Sequence, residues 1–257
     1  MAQRLTLAVT FLTSLRLPVR GEAAPADLWG SMAWFPLVGL GLGAAAWGVY
    51  AGLLEVLPGV VAAALVVLLL EAFTRGLHLD GLMDTCDGFF SGAPRERALE
   101  IMKDSNAGAM GVAGAVLLIV LKVAALGALS RSNAAAPLLA GWTAARTLPA
   151  INVYFWPYAR LQGTGFAFNQ ERTSGPLVVA LAFLAAGLVV AGVVGRAVGA
   201  AGGWWAGLVV AGVAILVALL LQAIVARRLG GLTGDVYGMG IEVAETAALV
   251  AGCALLR

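Results

Sequence analysis

Long apolar runs that are nearly free of charge restrict the fold of this chain more than any other feature. A transmembrane helix needs about 20 mostly apolar residues, and seven stretches are candidates. They are Ser31–Val56, Val60–Leu79, Ala109–Leu129, Ala134–Ala150, Pro176–Gly195, Trp204–Ala226 and Val236–Leu256. The fourth is short and carries Arg146, so it is the weakest of the seven.

The composition excludes a soluble protein. Of the 257 residues, 61% are hydrophobic and 12% are charged, whereas a soluble domain has about 25% charged residues. We therefore expect an all-α, polytopic integral membrane protein with about seven transmembrane helices, built as a single membrane-embedded catalytic domain over residues 1–257. The net charge of +2 is too small to indicate nucleic-acid binding.

Two further helices are expected outside these spans. The N-terminal stretch carries Arg4, Arg16 and several Thr and Ser residues, and no small-residue cleavage site follows it. It is typical of a re-entrant or interfacial helix rather than of a signal peptide. The segment from Pro94 to Lys103 alternates apolar and charged residues, which predicts a short cytoplasmic amphipathic helix in the interface with membrane lipid.

The distribution of Arg and Lys predicts the orientation, because cytoplasmic loops collect these residues. With seven spans and the N-terminus inside, eleven basic residues lie on the cytoplasmic side and three outside. The eleven are Arg4, Arg16, Arg20, Arg75, Arg95, Arg97, Lys103, Arg160, Arg172, Arg227 and Arg228, and the three are Arg131, Arg196 and Arg257. We expect the multi-pass chain in the cytoplasmic (inner) membrane of a prokaryote.

Pairs of glycines four residues apart predict close contacts between helices, since small residues let backbones approach. Gly39 with Gly43, Gly48 with Gly52 and Gly203 with Gly207 have this spacing. The sequence does not decide whether the chain forms a homo-oligomer.

Three aspartates between the second and third spans indicate a site. Asp80, Asp84 and Asp87 have the spacing i, i+4, i+7, which places them within about 60° of one another on a helix. Three carboxylates on one face repel one another, and a hard divalent cation such as Mg²⁺ relieves that repulsion through oxygen ligands. The alternative is a solvated acidic face at the end of a span.

The same helix carries a second polar set, with Glu71, Arg75 and His78 at i, i+4, i+7. Glu71 and Arg75 have the spacing of an intrahelical ion pair. His78 is the only histidine, and a neutral imidazole serves either as a general base or phosphate donor or in a structural hydrogen bond. These two interpretations stay open.

Polar residues flank two later spans. Lys103 is a candidate for phosphate binding, Asp104 for a further metal ligand, and the amides near Gly108, where the third span begins, for phosphate binding. After Thr233 and Asp235, the last apolar run contains Glu242 and Glu245 at i, i+3. Carboxylates at membrane depth are costly and usually functional, so we expect this segment to meet the three aspartates.

Two polar patches are candidates for a substrate pocket. The first reads FLTSLRLPV from Phe11 to Val19, and the second reads GTGFAFNQER from Gly163 to Arg172. Both combine aromatic with polar groups, and both are equally compatible with plain loops.

Taken together, these motifs resemble those of cobalamin synthase, also called adenosylcobinamide-GDP ribazoletransferase. The pattern H-x-D-G-L-x-D-x-x-D-G runs from His78 to Gly88, and R-E-x-x-L-E-I-M-K-D-S-x-x-G-x-x-G runs from Arg95 to Gly111. G-G-x-T-G-D with E-x-x-E follows between Gly230 and Glu245, and the N-terminal F-L-T-x-x-x-L-P-V also matches. The similarity covers essentially the whole chain.

The resemblance implies a reaction and its partners. The ribose 3′-hydroxyl of α-ribazole or of α-ribazole 5′-phosphate attacks the cobinamide-side phosphorus of adenosylcobinamide-GDP, GMP leaves, and Mg²⁺ is required. It further implies that Asp80, Asp84 and Asp87 bind Mg²⁺, with Asp104 as a further candidate. His78 and Lys103 then join the catalytic set. The remaining substrate-binding candidates are Gly108, Thr233, Asp235, Glu242 and Glu245.

Two other classes of protein stay open at this stage. A CDP-alcohol phosphotransferase of lipid synthesis shares multiple aspartates and Mg²⁺, but its D-G-x-x-A-R pattern is absent, since Leu82-Met83-Asp84-Thr85 follows Asp80-Gly81. A transporter would carry polar residues at mid-membrane in matched halves, whereas the sequence shows no repeat.

Overall fold

Helices make up most of the described structure. The computed structural model describes residues 1–19, 21, 23–160, 164–170 and 172–256; Arg20 and Arg257 of the charge count, and part of the second polar patch, including Gly163 and Glu171, lie outside these ranges. The helices are α1 (Ala2–Leu12), α2 (Pro25–Ser31), α3 (Phe35–Leu53), α4 (Gly59–Thr74), α5 (Leu77–Phe90), α6 (Arg95–Ile101), α7 (Ala109–Gly127), α8 (Trp142–Phe155), α9 (Thr164–Ala167), α10 (Ser174–Ala197), α11 (Gly203–Leu229) and α12 (Gly234–Leu255). A 3-10 turn, Met32–Trp34, joins α2 to α3, and a π-helical turn, Pro137–Gly141, precedes α8.

Five helical segments are long and apolar enough to cross a membrane. They are Pro25–Leu53, Ala109–Gly127, Ser174–Ala197, Gly203–Leu229 and Gly234–Leu255. The pair α4 and α5 is long and apolar enough only when the two helices are taken together, and it is bent by 89°. By length and composition, the described residues therefore contain five helices able to cross a membrane, or six if the pair counts as one. The all-α membrane fold predicted from the sequence is confirmed, while the count of seven stays a prediction.

The predicted fourth span lies at the centre of the bundle. Its residues form the π-helical turn and α8, and almost every side chain from Ala134 to Ala150 is buried. The outer helices differ, since Leu117 of α7, Val178 of α10 and Leu216 of α11 are 70%, 61% and 58% exposed. A surface of exposed aliphatic side chains is what lipid contact requires.

The bend between α4 and α5 depends on two left-handed residues. Arg75 has φ of 59° and Gly76 has φ of 62°. The glycine adopts this conformation without steric cost, whereas the arginine does so at about 1–2 kcal/mol. Arg75 Nη2 donates to the carbonyls of Thr10 and Phe11 at 3.4 and 3.3 Å, which fixes the bend against α1.

The bend makes the predicted Glu71–Arg75 pair wrong. Because α4 ends at Thr74, the two side chains no longer share a helical face. Glu71 Oε1 instead accepts from Lys122 Nζ of α7 at 3.4 Å.

Close helix packing is confirmed at one predicted glycine pair. A side chain at Gly39 or Gly43 would collide with the carbonyls of Trp142 and Leu138, so α3 lies directly against α8. Gly48 and Gly52 face open space within 4 Å, so the prediction of close packing there was wrong.

Candidate functional site

Helix α5 presents the three predicted aspartates across one end of the bundle. It crosses α12 where both backbones carry glycine: a Cβ at Gly81 would lie 2.7 Å from the carbonyl oxygen of Asp235, and one at Gly238 would lie 3.1 Å from that of His78. This close crossing brings Asp235 beside α5, and the charge of Asp84 interacts with those of Asp235 and Asp80. The expected meeting of the aspartates with the start of the last helix is therefore present.

Asp87 attaches α5 to the first turn of α7. Its Oδ2 accepts from the Gly108 N–H at 2.8 Å, and its Oδ1 accepts from the Gly111 N–H at 2.7 Å. The first turn of a helix leaves amides without internal partners, and a carboxylate there is favoured by the helix dipole. The amide of Gly108, which the sequence suggested for phosphate, thus binds a carboxylate of the protein.

Asp80 and Asp84 are differently placed. Asp80 is exposed and Asp84 half-buried, and neither has a hydrogen bond or ion pair to the residues that the structure describes. Within the described part of the chain, no three His, Cys, Asp or Glu side chains are grouped closely enough to hold a metal ion. The metal ligation predicted for Asp80, Asp84, Asp87 and Asp104 stays a prediction.

Asp104 and Lys103 lie in the exposed loop after α6. The Asn106 backbone N–H donates to Asp104 Oδ1 at 2.9 Å, and this bond holds the pKa of the Asp104 carboxyl below its usual value. Lys103 reaches the wall of the cavity described below.

Asp235 is held in the first turn of α12 by two partners. Arg160 Nη1 lies 2.7 Å from Asp235 Oδ2, and the Thr233 hydroxyl donates to the same oxygen at 3.2 Å. Thr233 Oγ1 also accepts from the Val236 N–H at 3.3 Å and caps the helix. Thr233 therefore positions Asp235, and its predicted role in substrate binding stays a prediction.

A cavity of about 520 Å³ opens between α1, α5, α12 and the loop after α8. Its lining includes His78, Lys103, Arg160 and Asp235 among mainly apolar groups. Phe11 and Gly165 also line it, so both polar patches noted in the sequence contribute to the wall. Tyr158 lies at the edge, where burial raises the pKa of its phenol and its oxygen accepts from the Gly234 N–H at 3.2 Å.

Glu242 and Glu245 lie away from this cavity in a buried ion-pair cluster. Lys122 Nζ donates to Glu242 Oε2 at 2.6 Å and to Glu245 Oε2 at 2.7 Å. Arg146 of α8 also pairs with Glu245, and Glu71 completes the cluster. These contacts join α4, α7, α8 and α12, and the role in substrate binding predicted for the two glutamates stays a prediction.

Three important residues were missed as site residues in the sequence. Arg160 is predicted only as a cytoplasmic charge, and no signal in the sequence connects it with Asp235, 75 residues further along the chain. Lys122 and Arg146 were noted inside apolar runs. Charges in such runs usually pair with one another, and the two glutamates were the available partners.

These features define a class: a multi-pass membrane protein with carboxylates, an arginine and a cavity gathered at one end of its helices. The chain matches the model of a family described as cobalamin-5-phosphate synthase over residues 4–253. It therefore belongs to the cobalamin-5-phosphate synthase family, a family of transferases in cobalamin biosynthesis, and the resemblance found in the motifs is confirmed.

Relatives of known name agree with this family over the full chain. A protein of Desulfitobacterium hafniense (strain Y51) named adenosylcobinamide-GDP ribazoletransferase is 38% identical over 257 residues, 99% of this chain and 98% of that protein. A protein of Brevibacillus brevis with the same name is 34% identical over 249 residues, 95% and 94% of the two chains. No solved structure matches the chain.

Proposed function

We propose that the chain transfers the adenosylcobinamide-phosphate moiety of adenosylcobinamide-GDP to α-ribazole or α-ribazole 5′-phosphate and releases GMP. The observation that carries this proposal is the pair of carboxylates Asp80 and Asp84, which have no side-chain partner among the described residues. Their charges interact with that of Asp235, which lines the cavity together with Arg160. The relatives reported above are named for this activity, and they match the chain over nearly their whole length.

The reaction exchanges one phosphodiester for another. The ribose 3′-oxygen forms a bond to the cobinamide-side phosphorus, the bond from that phosphorus to the GMP oxygen breaks, and the hydroxyl proton must leave. Asp235 is the carboxylate that lines the cavity, so we assign it to accept this proton. Its pairing with Arg160 fixes the orientation of the carboxylate.

Mg²⁺ is the cofactor that the carboxylates fit. This ion commonly takes one or two carboxylates together with substrate phosphates, and Asp80 and Asp84 have no other partner in the described structure. Asp87 is occupied by the amides of α7 and Asp235 by Arg160. Asp80 and Asp84 would hold the ion, whose charge would stabilise the leaving phosphate.

We propose that the chain lies in the inner membrane and that its site faces the cytoplasm. Arg95 of α6, Arg160 and the last turn of α11, with Arg227 and Arg228, all belong to the segments that meet at the aspartate end of the bundle. Such an excess of basic residues favours the cytoplasmic side, and the exposed aliphatic surface of α7, α10 and α11 favours contact with membrane lipid.

The test is a reaction with purified protein in nanodiscs. Adenosylcobinamide-GDP and α-ribazole 5′-phosphate are supplied with Mg²⁺ or with a chelator, and both the joined corrinoid and GMP are measured. We expect stoichiometric, Mg²⁺-dependent formation of the two products. Folded protein that forms neither, next to a working member of the family, would refute the proposal.

A further inference from the structure

Three phenylalanines that contact one another line the cavity beside Asp235 and form an aromatic wall. Phe11 and Phe168 have ring centroids 5.2 Å apart, and Phe11 and Phe35 are stacked with centroids at 5.7 Å. Leu77 and Ile241 add apolar groups to the lining. Such a surface suits a flat aromatic group without polar edges, because rings pack face to face or edge to face at these distances.

The lining of the cavity also includes two polar side chains with buried nitrogen atoms that lack a partner among the described residues. Arg160 uses Nη1 for Asp235, while its Nε and Nη2 are buried with no acceptor among the residues described. His78 is 3% exposed, and neither ring nitrogen has a hydrogen-bond partner in the described structure. Buried polar atoms of this kind normally have a partner, so the arrangement indicates a ligand with acceptor groups.

We propose that this cavity is the site of the nucleoside acceptor and that Arg160 recognises its 5′-phosphate. The aromatic wall takes the methylated benzimidazole base, the ribose lies against His78 and Asp235, and the phosphate accepts from Nε and Nη2 of Arg160, with Lys103 at the rim. Arg160 is then the residue that makes α-ribazole 5′-phosphate a better substrate than α-ribazole. This inference rests on the proposed function and names a substrate site within it.

The two other parts of the substrates fit the cavity less well. Adenosylcobinamide, with its macrocycle and axial ligand, is far too large for about 520 Å³, a volume that suits a single small molecule. Guanine has donors and acceptors around its edge, and the phenylalanine wall offers it none. A methylated benzimidazole has one free ring nitrogen, and the opposite, benzo edge exposes only ring and methyl carbons to the wall.

The role of the Arg160 guanidinium is tested by comparing two acceptor substrates in the same enzyme preparation. The catalytic efficiency kcat/KM is measured for α-ribazole 5′-phosphate and for α-ribazole, at saturating adenosylcobinamide-GDP, in the wild type and in Arg160→Gln. Any general damage from the loss of the Asp235 pair affects both acceptors and cancels in the ratio. Loss of two charge-assisted hydrogen bonds is expected to lower the preference for the phosphorylated acceptor at least about 100-fold.

Arg227→Gln is the matched control. Arg227 is exposed in the last turn of α11, so this substitution removes the same charge outside the cavity. We expect its preference to equal that of the wild type. An Arg160→Gln enzyme with an unchanged preference would overturn the assignment. A wild type that joins neither acceptor would instead refute the proposed function, so the two failures are distinguishable.

A second variant tests the aromatic wall without relying on Arg160. Phe168→Leu keeps the position apolar but removes the ring, and it should raise KM for both acceptors by about tenfold while KM for adenosylcobinamide-GDP stays constant. Equilibrium binding of α-ribazole 5′-phosphate to the protein alone should weaken in parallel. A KM change confined to adenosylcobinamide-GDP would place the corrinoid substrate, not the nucleoside, in the cavity and would overturn the inference.

Discussion

Lys122 is the residue whose replacement tests the buried ion-pair cluster most directly. Its ammonium lies within 2.6–3.4 Å of carboxylate oxygens from Glu71, Glu242 and Glu245 and is about 1% exposed as a residue. Two basic and three acidic side chains share the cluster, so their formal charges sum to −1. In Lys122→Met the apolar stem is conserved in size while the sum becomes −2.

The energetic cost of this change is large because three carboxylates lose their shared cation without gaining solvent. Removing one partner of a buried ion pair costs about 3–5 kcal/mol. For a chain of this size, each kcal/mol shifts the melting temperature by roughly 2–4 °C, which gives a decrease of roughly 6–20 °C.

The measurement is thermal unfolding in one detergent, with Lys103→Met as the matched control. Lys103 is exposed and has no partner in the described structure, so its replacement should leave the melting temperature within a degree or two of the wild type. The double variant Lys122→Met with Glu242→Gln removes one charge of each sign and should recover part of the loss. A Lys122→Met protein as stable as the Lys103→Met control would refute the reasoning.

Other predictions concern the aspartates and the contacts between helices. Asp84→Asn should lower turnover at least about 100-fold at an unchanged melting temperature, measured as GMP release. Asp87→Ala removes the two carboxylate oxygens that accept from the first amides of α7. It should lower the free energy of unfolding by about 1–2 kcal/mol, measured in the same thermal assay. Tyr50→Phe removes a hydroxyl that donates to the Leu126 and Leu129 carbonyls within 2.8–2.9 Å, at a cost of about 1–3 kcal/mol. Gly43→Leu should prevent folding, seen as aggregation by size exclusion, because α3 and α8 have no room for the side chain.

Much of the candidate site could be predicted from the local spacing of residues in the sequence. The i, i+4, i+7 spacing predicted aspartates on one helical face, and α5 presents them so. The glutamates in the last apolar run marked buried charge, which the structure confirms. Charges inside apolar runs indicate pairing with one another, with Lys122 and Arg146 as the available cations. Which of these charges meet was not predictable, because Lys122 lies 120 residues before Glu242 and no local pattern encodes contacts across four helices.

The bend at Arg75 shows a second limit. Gly76 indicated an irregular backbone. The left-handed conformation of Arg75 could not be predicted from its residue type, because left-handed φ is disfavoured for any residue with a side chain. It is stabilised by the carbonyls of Thr10 and Phe11, more than sixty residues away along the chain. The lost Glu71–Arg75 pair follows from this distant contact.

The structure divides the three aspartates of α5 between two tasks that one spacing cannot separate. Asp80 and Asp84 have no side-chain hydrogen bond or ion pair within the described part of the chain, whereas both oxygens of Asp87 accept from amides at the start of α7. Helix α5 is thus fixed by Arg75 at its start, by the Gly81 crossing with α12 and by Asp87 near its end. A carboxylate pair that holds a cation needs such a rigid support, because ligand positions must be fixed before the substrate phosphates arrive. Asp87→Asn should consequently lower turnover through the position of α5 and also lower stability, whereas Asp84→Asn should lower turnover alone. Equal melting temperatures for the two variants would show that the contacts of Asp87 with α7 do not support α5 and would refute this division.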